Sequence, residues 1–335
     1  MKNKLKIGWW PRQSRAWGII VSGVAAVVLV LLWIFVIGVY LNKPGSFFNK
    51  GHNAVWIGHE WVGQNKTDAQ IQELVGNLKK YQIDTVFVHV GPLNHDGTID
   101  PETYKYSLNF VEKAKKLENG IKYQAWLGQL RNKIDLSSKD VRHNVANQAL
   151  IMGRLVGFDG IHFDIEPVWD NDEDFILLLK ETRDVLPKDK IISVALSEFI
   201  PNSFVWMTEK VYKFKNYNSQ INYKNVAEYA DQIVAMAYDT GLKNSRLYKW
   251  LVKEQTIWLT DLLDGKEIFI GIPAYDDQNV GFDPEVENIE NGLKGIIAGL
   301  NNIRSNDDNF AGVAIYPYWE MDESEWGSYE NLWLK

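Results

Sequence analysis

A closed (β/α)8 barrel over residues 53–335, preceded by one N-terminal transmembrane helix, is the α/β architecture this sequence predicts. Three observations lead there. Eight short apolar runs recur along the chain, helix-like segments separate them, and one long charge-free apolar stretch sits near the start. Near-continuous apolar strands alternating with helices imply a parallel sheet covered on both faces, and eight such units suit a barrel. An open doubly wound sheet is the competing arrangement. No glycine-rich phosphate loop follows the first run, which weighs against its nucleotide-binding form.

The first element is the stretch WGIIVSGVAAVVLVLLWIFVIGVYL, Trp17 to Leu41. At about 1.5 Å rise per residue it is long enough for the roughly 30 Å hydrocarbon core of a bilayer. A buried core helix rarely runs so long without a polar face, and a cleaved signal peptide has a shorter apolar region. Trp17 and Tyr40 fit an interfacial belt, whereas Trp33 falls inside the span. Lys2, Lys4, Lys6, Arg12 and Arg15 precede the span, and only Lys43 and Lys50 follow closely. The positive-inside tendency then keeps residues 1–16 as a cytoplasmic tail, leaves 42–52 as a short stalk and puts the barrel outside the cell membrane, on a single-pass anchor.

The runs that follow are AVWIGHEW (54–61), DTVFVHV (84–90), KYQAWLGQ (122–129), FDGIHFDIE (158–166), KIISVALS (190–197), QIVAMAYD (232–239), EIFIGIPAY (267–275) and FAGVAIYPYW (310–319). Between the first two, TDAQIQELVGNLKKY opens on a capping box from Thr67 to Gln70 and carries Ile71, Leu74, Val75 and Leu78 on one face. DEDFILLLKETRDVL and IENGLKGIIAGLNNI show the same helical spacing. The stretch 198–230 is the longest connection between strands, weakly periodic, and is expected to be a loop shaping the active face.

Composition narrows the function. With 46% hydrophobic residues and 24% charged, the chain has ample material for a core. The net charge of −7 and the lack of a basic domain make nucleic acid a poor partner. The chain contains no cysteine, which excludes disulfides, thiolate metal sites and cysteine nucleophiles. Among its 14 Trp, most are expected in the core or the membrane belt, with a minority available to stack on the apolar faces of sugar rings.

The fourth run poses the chemical question. In DGIHFDIEP, alternation puts His162, Asp164 and Glu166 on one strand face and Ile161, Phe163 and Ile165 on the other. In a barrel the apolar row suits the helix side, so the charged row points inward, toward the mouth at the strand's C-terminal end. Active sites of this fold are built there. Two carboxylates side by side cannot both ionise easily, so one pKa rises. Glu166, nearest the mouth, is the natural proton donor and Asp164 its modulator, the pairing that glycoside cleavage requires. Two other readings compete: a buried polar network with no chemical role, and a metal site in which His162, Asp164 and Glu166 recruit His59 and His89. Same-face neighbours on a strand are about 6.6 Å apart, so three ligands from one strand converge poorly on one ion.

The pattern resembles glycoside hydrolase family 18, the chitinase-like family. DGIHFDIEP is similar to its strand-four signature, Asp-Gly-x-Asp-x-Asp-x-Glu. Asp159, Gly160, Asp164 and Glu166 match, and His162 stands at the middle aspartate. AMAYDT (235–240) resembles the family's Met-x-Tyr-Asp of strand six, and GIPAY (271–275) its Gly-x-Pro-x-Tyr of strand seven. Tyr316 stands where the family usually carries a tryptophan, with Trp319 three residues on. The resemblance implies retaining, substrate-assisted hydrolysis of a glycan containing N-acetylglucosamine, with no metal and no cofactor. Glu166 would protonate the glycosidic oxygen and the substrate's acetamido carbonyl would attack the anomeric carbon. Asp164 would orient the acetamido N–H, and Tyr238, beside Asp239, would hydrogen-bond its oxygen. Trp126, Trp169, Tyr316 and Trp319 are candidates to floor a sugar cleft or to fill the barrel top, with one of Tyr316 and Trp319 expected to contact sugar; Tyr275 is a further candidate, while Tyr238 and Tyr275 also suit plain packing of the mouth. His162 is expected to act on Asp164, holding it ionised if protonated or donating one hydrogen bond if neutral. The short segment after Tyr275 lacks room for the small domain some relatives insert there, which implies an open, shallow cleft. A non-catalytic sugar-binding barrel is the alternative that the family also allows.

Overall fold

The β-branched and aromatic residues of the eight runs pair as predicted. The strands are β1 (Asn53–Ile57), β2 (Ile83–Pro92), β3 (Lys122–Leu130), β4 (Gly160–Glu166), β5 (Ile191–Leu196), β6 (Gln232–Met236), β7 (Glu267–Pro273) and β8 (Phe310–Tyr316). They close into one barrel in the order β1-β8-β7-β6-β5-β4-β3-β2, every pairing parallel. The computed structural model describes residues 22–30, 43, 47–200, 217–277 and 281–334. The chain divides into two units, Met1–Gly45 and Ser46–Lys335, and the barrel lies in the second.

Helices α1 (Asp68–Lys80), α2 (Ser107–Leu117), α3 (Lys139–Leu150), α4 (Glu173–Val185), α5 (Gln220–Ala227), α6 (Ser245–Leu262), α7 (Ile289–Leu300) and α8 (Glu323–Leu332) link and follow the strands. The capping box of α1 is formed as the sequence predicts: Gln70 N donates to Thr67 Oγ1 at 3.3 Å, and Thr67 N to Gln70 Oε1 at 3.0 Å. Its buried residues are the predicted Ile71, Leu74, Val75 and Leu78.

Two cores result. Outward-facing strand residues such as Val55, Val86, Ile161, Phe163 and Ile165 join the helices in the large cluster. Residues from alternate positions, Ala54, Trp56, Phe87, Trp126, Val234, Phe269 and Ala314, fill the interior. Gly160 starts β4 because the neighbouring strand leaves no room for a side chain: a Cβ there would lie 2.6 Å from the Ile191 carbonyl oxygen.

Three expectations need correction or restriction. Of the predicted membrane span at 17–41, residues 22–30 are helical, and the rest lies outside the described residues. No helix among the described residues is long and apolar enough to cross a membrane. The end of the predicted stalk is not a spacer. Phe48 is buried in the large core, and Asn49 Nδ2 donates to Gln82 Oε1 at 2.8 Å, because an apolar ring beside β1 gains more by packing than by exposure. In the connection after β5, residues 201–216 lie outside the described residues. The flanking Phe199–Ile200 and Asn218–Ser219 pair as short parallel strands, and α5 follows.

Candidate active site

The inward row of β4 is built by its register. Trp126 pairs with His162, Gly128 with Asp164 and Leu130 with Glu166. The bare Gly128 leaves space for the Trp126 indole, whose Nε1 would lie 3.0 Å from a Cβ there. Trp126 Nε1 and Asp164 Oδ1 are both buried and make no hydrogen bond of good geometry, although the Trp126 indole and the Glu166 carboxyl lie close enough to Asp164 to lower its pKa against the effect of burial. A bound ligand could complete the bonding of this donor and this acceptor at the barrel mouth. Burial raises the carboxyls of both Asp164 and Glu166, and Glu166 rises well above its ordinary range. After burial, the charge of Asp164 adds most to that rise, with Asp239 and Glu198 contributing. Both effects favour the protonated form of Glu166, the form a proton donor needs.

His162 plays a different part from the one expected. It is fully buried, and its ring stacks on Phe87 with centroids 3.8 Å apart at 18°. Trp56 Nε1 lies 3.1 Å from His162 Nε2. An indole N–H only donates, so Nε2 accepts and the proton of a neutral ring sits on Nδ1, 2.9 Å from Ser193 Oγ. Burial drives the imidazole pKa well below 6.5, which keeps it neutral. Both ring nitrogens are thus committed to Trp56 and Ser193, and neither is left for Asp164. Asp159, the first residue of the motif, lies at the other end of β4. It accepts from Tyr123 N at 2.9 Å and from Lys115 Nζ at 2.7 Å, so it ties β4 to β3 and α2.

Tyr238 and Asp239 follow β6 directly. The Tyr238 ring is buried and lies parallel to Tyr316, centroids 5.7 Å apart at 10°. Burial, with the charges of Asp164 and Glu166 next, pushes its hydroxyl well above 10. Asp239 sits in left-handed backbone, φ 57°, and accepts from Tyr275 Oη at 2.8 Å. The turn is pinned from behind by Glu287, which is 1% exposed: Thr240 donates to it through Oγ1 at 2.8 Å and through its amide at 3.2 Å. Burial raises Glu287 to about 7 and Glu198, just past β5, to about 8.

A cavity of about 550 Å3 opens beside these groups, lined by His59, Glu60, His89, Trp126, Tyr316 and Trp319, with the backbone of Gly58. Tyr316 and Trp319 both wall it, where the sequence suggested one of the two; Trp319 is 48% exposed. Tyr275 instead packs edge-on to Tyr238 and Tyr316 and orients Asp239. The His59 and His89 rings are 6.0 Å apart, and burial, with His59 adding to it, lowers His89 to about 4. Among the described residues no group of three His, Asp or Glu side chains is placed to hold a metal ion.

Sequence reasoning missed Trp56, Ser193, Glu198 and Glu287. Ser193 was visible as a polar interruption of the fifth run, and Glu198 as a carboxylate just past a strand's C-terminal end. Glu287 lies in an aperiodic connection that carries no signal.

The family described as Glycosyl hydrolases family 18 matches residues 59–333. No curated protein matches the chain. Among solved structures, the spore cortex-lytic enzyme SleL of Bacillus cereus shares 12% identity at TM-score 0.58, covering 86% of this chain and 75% of that one. SleL of Bacillus megaterium shares 15% at 0.56, covering 87% and 75%. The Ostrinia furnacalis Group IV chitinase shares 14% at 0.56, covering 84% and 99%.

Proposed function

This chain belongs to glycosyl hydrolase family 18 and is a glycosidase, and on that premise we propose that it hydrolyses a β-linked N-acetylglucosaminide by a retaining, substrate-assisted route. The observation that carries the reading is the Asp164–Glu166 pair at the barrel mouth, both carboxyls raised, beside an aromatic-walled cavity. Glu166, whose protonated form burial favours, delivers its proton to the glycosidic oxygen as the bond breaks. The acetamido carbonyl of the sugar attacks the anomeric carbon in place of an enzyme nucleophile, an allowed departure from the two-carboxylate scheme. The buried Asp164 Oδ1 accepts the acetamido N–H, and the Tyr238 hydroxyl donates to the acetamido oxygen. As the positive charge of the intermediate develops, an ionised Asp164 stabilises it. Glu166, now deprotonated, then takes a proton from water as that water opens the intermediate.

The apolar run at 17–41 supports display of the barrel outside the cell on a membrane anchor, where an envelope glycan such as peptidoglycan is the nearest substrate. Release of reducing ends from N-acetylglucosamine oligomers and from peptidoglycan tests the reading. Turnover of either that is lost in Glu166→Gln supports it. Binding without turnover, equal in the wild type and Glu166→Gln, would leave a sugar-binding barrel.

A further inference from the structure

A second concavity, of about 490 Å3, lies on the rim formed by the segments after β3 and β4, between Arg131, Ile134, Trp169 and Asp174, with His95 and Lys133 at its edge. Trp169 follows Glu166 by three residues, a reach of at most about 10 Å. Arg131 directly follows Leu130, the register partner of Glu166. Trp169 is 49% exposed, yet it is held. The Arg131 guanidinium lies 4.7 Å over its ring. Arg131 is itself buried and anchored to Asp172 at 3.4 Å and to the Ile134 carbonyl at 3.1 Å. Asp172 in turn caps α4, accepting from Phe175 N at 3.1 Å.

An exposed aromatic ring normally loses conformational freedom when a ligand orders it. Here a buried guanidinium, itself fixed to a helix cap, orders the ring in advance, which removes that cost from binding. The exposed side of the ring matches the apolar C–H face of a pyranose. Resting on the glycosidase reading above, we propose that Trp169, seated on Arg131, is a stacking subsite for a sugar ring of the glycan. The first cavity is walled by residues of β2, β3 and β8 and the segments after β1 and β8. The Trp169 subsite extends the footprint to the rim after β3 and β4, so the preferred substrate is a chain longer than the first cavity accommodates.

The test is the chain-length dependence of kcat/KM on N-acetylglucosamine oligomers, for the wild type, Trp169→Ala and Trp169→Phe. In the wild type kcat/KM rises with length until the subsite is filled. In Trp169→Ala that rise flattens, and the longest oligomer loses roughly tenfold, mainly through KM, the scale of one stacked ring. Trp169→Phe restores part of the rise, because a smaller aromatic face remains. Equal loss at every length, or no loss, overturns the subsite. If the wild type turns over neither these oligomers nor peptidoglycan, the hydrolase reading fails. Calorimetric binding of the same oligomers then decides the subsite separately: equal affinities of wild type and Trp169→Ala would overturn it.

Discussion

Replacing His162 probes whether the histidine in the catalytic strand is a structural tie. In His162→Ala the buried Trp56 N–H loses its acceptor, and Phe87 loses the ring stacked 3.8 Å away. An unsatisfied buried donor costs about 1–3 kcal/mol and a lost ring pair about 0.5–1.5, so the variant is less stable by about 1.5–4.5 kcal/mol. His162→Gln offers an amide oxygen to Trp56 and an N–H to Ser193, and recovers the hydrogen-bonded part of the loss. The pH dependence is a sharper readout. His162 titrates well below 6.5 when folded and near 6.5 when unfolded. As pH falls below 6.5 the unfolded chain takes up a proton that the folded one refuses, so stability present above 6.5 is lost toward acid. For one such histidine the loss between pH 6.5 and 5 is at most about 2 kcal/mol. Urea unfolding of the wild type and His162→Gln at pH 7, 6 and 5 measures it: the wild type loses more stability toward acid than the variant. Parallel pH curves, or a His162→Ala as stable as the wild type, would refute the reasoning.

Three further outcomes follow from the same geometry. Glu166→Gln lowers turnover by about 10²–10⁴-fold, the usual worth of a general acid, and raises the unfolding midpoint at pH 7. A buried carboxyl with a raised pKa costs stability above its unfolded value of about 4.5, and the gain disappears as pH falls to that value. In the wild type, kcat/KM falls as pH rises through the elevated pKa of Glu166, since the donor must carry its proton; a rate that instead rises toward alkaline pH would contradict this. Glu287→Ala removes the acceptor of Thr240 N and Oγ1 and frees the left-handed turn at Asp239. We expect a stability loss of about 1–3 kcal/mol, and KM rises because Tyr238 is no longer held.

The barrel was legible because its signal is distributed: eight apolar runs each survive a misplaced end. Those ends were the weak point. The first run was read to Trp61, but the strand stops at Ile57 and a helical turn takes over at Glu60, because the mouth segments leave the ladder while still rich in aromatic residues. Alternation alone placed His162, Asp164 and Glu166 on one face. It could not tell which of them meets solvent space and which is sealed among rings, since that depends on Trp56, Phe87 and Ser193 from three other strands. Glu287 was invisible for the same reason: its partner, Thr240, is brought to it only by the closure of the barrel.

The most direct test of the central claim, that Glu166 protonates while the substrate's acetamido group attacks, is the anomeric form of the sugar first released. Proton NMR of a fresh N-acetylglucosamine oligomer digest should show the new reducing end as the β-anomer, followed by slow mutarotation. Initial release of the α-anomer would mean that water attacks directly, and would contradict the account.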